Sequence, residues 1–130
     1  MPNVFVVQNP HRLNRATGSL EPMVDLSDAE RFGKLHYLVG PNAKPFDPSV
    51  AEQIDRGLQN FQAGDFLLLV GHPILMGIAT AYAADAVGTV NFLSWSPRDQ
   101  RYTPVSVNVF DNQEESNGTR QDSPPRPLRV

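Results

Sequence analysis

The sequence predicts an α/β fold, with a mainly parallel sheet layered between helices and an antiparallel hairpin at its C-terminal side. Three observations predict it. Short β-branched or leucine-rich runs, "NVFVVQ", "LHYLVG" and "FLLLVG", alternate with segments of helical period. The second and third runs each end in a glycine turn, "GPN" and "GHP". Two further runs, "TVNFLSW" and "TPVSVNVF", follow one another across the short polar link "SPRDQRY". Strands alternating with helices across short loops imply parallel pairing and right-handed crossovers. A short polar link suits an antiparallel hairpin instead.

Residues 3–8 read as the first strand, because the run is short and rich in β-branched residues, and Pro10 ends it. Residues 9–34 form a connection longer than a plain loop in a compact domain. A turn is expected at Thr17-Gly18, then a short helix from Ser27 to Gly33, since Ser27 and Glu30 have capping-box spacing. Residues 35–40 are the second strand. Asp47-Pro48 resembles a helix start, with Asp47 as N-cap, and Ser49 with Glu52 offers a competing box. Val50, Ile54, Leu58 and Phe61 form one apolar stripe, which predicts a helix to about Gln62. Ala63-Gly64-Asp65 turns the chain.

Residues 66–71 are the third strand, apolar without alternation, as in a strand covered on both faces. A helix from Pro73 to Val87 follows, nearly apolar all round and stopped by Gly88. Ile74, Ile78, Ala81, Tyr82 and Asp85 mark one of its sides. Gly77 and Ala81 are small residues one turn apart, suited to close packing on the sheet. Residues 89–95 and 103–110 supply the final strands. The whole is a small Rossmann-like three-layer sandwich.

Residues 1–110 are expected to form a single α/β domain. Residues 111–130, "DNQEESNGTRQDSPPRPLRV", carry almost nothing a core could bury and are expected as a disordered polar, Pro-rich tail. Its "PPRP" also suits an extended ligand for another protein.

Composition narrows the chemistry. Cysteine is absent, so disulfides, thiol catalysis and thiolate metal sites are excluded. The net charge of -3 leaves no broad electrostatic footprint for nucleic acid. No apolar run approaches the roughly 20 residues a membrane span needs, so no membrane partner is expected. No basic segment followed by an apolar core opens the chain, so no signal peptide is expected, and the cytoplasm is the expected compartment. His11, His36 and His72 lack metal-ligand spacing, and no serine or cysteine nucleophile motif accompanies them. There is no second or third glycine at dinucleotide spacing and no phosphate-loop lysine. No catalytic residue, metal or cofactor is therefore assigned.

Two kinds of candidate site remain. The glycine turns sit at the carboxyl ends of strands, the edge where open α/β sheets bind ligands. Gly40, Asn42, Gly71 and His72 are the ligand-binding candidates there, with a helix N-terminus after Pro73 to favour an anion. Plain strand-to-helix turns are the stronger reading of the same residues, since every such turn needs residues that bend sharply. The partner-binding candidates are basic and aromatic: Arg12 and Arg15 beside His11 in the long connection, and Trp95, Arg98 and Arg101 in the C-terminal hairpin.

Four segments, "VFVVQNPHR", "TGSLEPMVDLSDAERFGKL", "DFLLLVGHPILMGIATAYAAD" and "FLSWSPRDQRYTPVSVNV", together carry a resemblance. Over residues 3–110 the chain resembles a group of small phage-encoded α/β proteins without an assigned activity. The resemblance implies a viral protein acting in the cytoplasm of an infected bacterium. It supplies no catalytic residues. The expected function is a non-enzymatic accessory role, binding a host or viral protein. The alternative is a binder or enzyme for a nucleotide or other phosphate ligand, using the crevice at the carboxyl ends of the second and third strands. A nucleic-acid binder using Trp95, Arg98 and Arg101 is the third reading.

Overall fold

The computed structural model describes residues 2–110. The expected tail, residues 111–130, lies outside the described residues. The chain forms strands β1 (Asn3–Val6), β2 (His11–Asn14) and β3 (Ser19–Pro22), a 3-10 helix (Ser27–Phe32), and β4 (Lys34–Tyr37). Helix α1 (Pro48–Gly57), β5 (Phe66–Leu68), helix α2 (Pro73–Val87), β6 (Thr89–Ser96) and β7 (Arg101–Asn108) follow. The fold is mixed α/β. Its five-stranded sheet has the order β4-β1-β5-β6-β7, parallel throughout except for the antiparallel β6–β7 hairpin.

Alternation along β1 divides the core. Phe5 and Val7 point to one face, where they meet Val50, Ile54 and Leu58 of the α1 region and Leu75, Ala79 and Ala83 of α2. Val4 and Val6 point to the other, where Leu26, Ala29, Leu93 and Tyr102 cover them. Both helices thus share one face, and the 3-10 helix lies on the opposite one. Asp47 caps α1 as its residue type predicts: Oδ1 accepts from the Ser49 N–H at 3.0 Å and the Ser49 hydroxyl at 2.9 Å.

Five local expectations need correction. The long connection contains a second, two-stranded sheet, β2–β3, around the expected turn. Asn14 builds that turn by accepting from Gly18 N–H at 2.7 Å through its carbonyl and from Ala16 N–H at 2.9 Å through its side chain. No burial pattern announces the ribbon, because Leu13 and Leu20 are both exposed. The short helix is 3-10 and lacks a side-chain cap. The Ser27 N–H goes instead to Asp25 Oδ1 at 2.9 Å, so the Ser27–Glu30 box does not form. Helix α1 stops at Gly57, a poor helix former, and Phe61 reaches the core through the turn that follows.

β5 is only three residues long; Leu67 and Leu68 are buried, whereas Leu69 is exposed beyond its end. On α2 the sheet-facing residues are Leu75, Ala79 and Ala83, while Gly77 and Ala81 face outward. An all-apolar helix has no polar face to declare its orientation, so its period alone cannot choose the inner side. Among the described residues, no helix is long and apolar enough to cross a membrane.

Candidate functional site

The carboxyl end of the parallel sheet is organised by two consecutive side chains after β1. Gln8 is 3% exposed and lies between the two glycine turns. Its Nε2 donates to the carbonyls of Gly40 at 3.2 Å and Ala43 at 3.0 Å, and its Oε1 accepts from the His72 N–H at 3.0 Å. Asn9 pairs with the backbone of Val24, donating through Nδ2 at 3.0 Å and accepting through Oδ1 at 3.3 Å. These amides replace strand hydrogen bonds where the ladder ends, so the buried polar groups are satisfied.

The sheet order puts β1 between β4 and β5, so the turns holding Gly40 and Gly71 are not direct neighbours. A ligand bridging them would have to displace Gln8. Gly71 has φ +118°, and its backbone runs directly against Gln8. His72 is the N-cap of α2, with Nδ1 accepting from the Ile74 N–H at 3.1 Å. One of the helix-start donors is thereby already used. Asn42 is exposed on its loop.

A different depression opens beside them. β6 runs past the short β5, and the β6–β7 hairpin projects beyond the sheet. Between this projection and the end of the β2–β3 excursion lies a crevice of about 730 Å³. Leu69 and Val70 contribute from the end of β5, Met23 and Val24 from the excursion, and Trp95 and Tyr102 from the hairpin. Met23 is 54% exposed and Trp95 41%, while Trp95 packs edge-on against Tyr102 at 4.9 Å. The lining is mainly apolar, with Asp25, Ser94 and Gln100 as its polar members. It suits a non-polar group better than chemistry on a charged one. Among the described residues no group of His, Asp or Glu side chains could hold a metal ion.

The hairpin wall is tied down at one residue. Asp28 Oδ2 accepts from the Tyr102 N–H at 2.7 Å, and Arg31 donates to the Tyr102 carbonyl. Arg31 also pairs with Asp28 at 3.1 Å. The 3-10 helix thus occupies the outward backbone groups of an edge strand with side chains. The Tyr102 N–H, with Arg31 beside it, holds the Asp28 carboxyl below the ordinary carboxylate range. Burial, then Asp25 and Asp28, push the Tyr102 hydroxyl up. Because the folded Asp28 value is depressed, its contribution is complete above the ordinary carboxylate range and is lost as pH falls through and below it. The Tyr102 amide resonance should therefore titrate in acid in the wild type and stay flat in Asp28→Asn. A wild-type amide insensitive to acid would remove Asp28 from this role.

Of the partner-binding candidates, Trp95 lines the crevice, Arg101 begins β7 and Arg98 occupies the intervening turn. Arg12 lies in β2 opposite Glu21, and Arg15 lies in the turn of the same ribbon. The candidates thus divide between the two hairpins. Met23, Leu69, Val70 and Gln100 escaped sequence reasoning. The available signal was the adjacent apolar pair Met23-Val24 in the long connection.

A family model described as the phage Pam3 gp32-like protein matches residues 2–109, which include every strand and helix of the fold and both walls of the crevice. The chain belongs to that family. The expectation of a small phage protein is thereby met. Neither the curated proteins nor the solved structures contain a match to the chain.

Proposed function

We propose that this phage protein is a non-enzymatic accessory protein that binds a host or viral partner protein, seating an apolar side chain of that partner in the crevice between its hairpins. The observation that carries this reading is the exposure of Met23, Leu69 and Trp95 around one apolar depression. Strand order supports it. The step from β1 to β4 runs one way, and the next connection returns past β1 to β5. Such a reversal resembles the switch point of doubly wound, Rossmann-like sheets, whose ligands sit outside the carboxyl ends of the strands. Trp95, exposed and backed by the buried Tyr102, is the type of anchor that dominates binding energy. Arg98 and Arg101 flank it and would steer an acidic partner surface.

Trp95 is the sole tryptophan, so its emission reports on the crevice directly. The test is capture of partners from infected-cell lysate by the full chain, followed by titration of the recovered partner against that fluorescence. Leu69→Asp should weaken the interaction by about tenfold or more in this titration, and Trp95→Ala, which lacks the fluorophore, should weaken it as much by calorimetry. Retention of full affinity and an unchanged Trp95 spectrum on binding would refute the crevice as the site.

A further inference from the structure

We propose that the outer face of α2 is the interface of a symmetric dimer, in which the α2 helices of two copies of this chain pack antiparallel. The helix is apolar on both sides. Leu75, Ala79 and Ala83 face the core, yet Ile74 and Tyr82 are 55% and 36% exposed, with Ile78 half-buried between them. From Pro73 to Ala84 the helix carries no charged residue. A helix of this composition is normally covered on all sides. Among the described residues nothing covers this face.

The occupant is argued from shape and charge. Gly77 and Ala81 lie at the centre of the face, and a methyl group added at Gly77 would meet nothing within 4 Å. Small residues one turn apart let two helix axes approach closely. Ile74, Ile78 and Tyr82 recur every four residues, so a twofold axis near the centre sets Ile74 of one copy near Tyr82 of the other. Such a contact is self-complementary, as a twofold interface requires. Asp85 is the one charge on this face, and it lies near the C-terminal end of the helix. Antiparallel packing carries it to the start of the second copy's α2. There the helix dipole is positive and the exposed His72 ring stands as N-cap. Parallel packing would set the two Asp85 carboxylates side by side. The favourable arrangement is therefore the antiparallel one.

Sedimentation equilibrium on the full chain tests this. The wild type should approach twice the 14.4 kDa chain mass. Ala81→Arg should return it to the single-chain mass by driving a long charged side chain into the close, apolar helix contact. Arginine is a good helix former and position 81 is exposed in the single chain, so the fold should survive, as far-UV circular dichroism will check. Asp85→Lys should weaken association by about two- to fivefold. The chain has no cysteine, so Gly77→Cys, one residue from the axis at Ile78, offers a single thiol and should give a disulfide-linked dimer on mild oxidation. A wild type that stays at the single-chain mass up to about 1 mM would overturn the proposal. A dimer unaffected by Ala81→Arg would overturn it equally.

Discussion

Leu68→Ala should lower the free energy of unfolding by about 2–5 kcal/mol, the range for truncating a buried leucine. β5 is the middle strand, paired with β1 on one side and β6 on the other. Leu68 is 1% exposed and packs among Val4, Val6, Leu26, Leu93 and Tyr102. That cluster is covered by the six-residue 3-10 helix and the end of a hairpin, not by a long helix. Little mobile material is at hand to fill the space a lost side chain leaves, so the cost should fall toward the upper part of the range. Urea unfolding followed by circular dichroism and by Trp95 emission measures it, with Leu69→Ala as control. Leu69 is 38% exposed, so its truncation should cost below about 1 kcal/mol. Equal losses at the two positions would show that this strand is not covered as described.

Gly71→Ala should destabilise by a similar amount, about 2–5 kcal/mol, through strain and collision together. At φ +118° an alanine is strained whatever space surrounds it. Its Cβ would also stand 2.6 Å from Gln8 Cβ and 2.8 Å from Gln8 Oε1. If Gln8 moves aside, the His72 N–H loses its acceptor, and a buried amide loses its carbonyl partners on the Gly40–Ala43 loop. The two residues therefore act as one unit, and a double-mutant cycle exposes this. Gln8→Ala alone should destabilise by removing the amide bridge. Gly71→Ala in the Gln8→Ala background should cost less than in the wild type, because the Oε1 collision is gone. Strict additivity would mean that the Gln8 amide adds nothing to the strain, leaving the backbone angle and the contact with the residue 8 Cβ, which alanine keeps.

The fold is legible in the residues wherever a local cause is sufficient. Asp47-Pro48 starts α1, and Gly88 ends α2, because capping and termination depend on near neighbours. The "SPRDQRY" link produced the β6–β7 hairpin for the same reason. The fold is not legible where both faces of a segment look alike. The β2–β3 ribbon exposes both of its leucines, and α2 is apolar inside and out, so neither pattern reveals which side is covered. Gln8 and Asn9 read as an ordinary polar end to a strand. Their roles depend on residues 32–64 positions distant for Gln8 and 15 for Asn9.

The sequence by itself determined the mixed α/β class with its C-terminal antiparallel hairpin, the strand and helix types of the main elements, and the phage character carried by the resemblance. Each follows from short-range information: periodicity, capping residues and turn chemistry within one element and its flanks. Only the tertiary structure decided that β1 separates the two glycine turns, that Gln8 occupies the space between them, and that an apolar crevice opens beside β5. Those depend on strand order and on the difference in length between β5 and β6. Both arise from the pairing of distant segments, which no local propensity encodes.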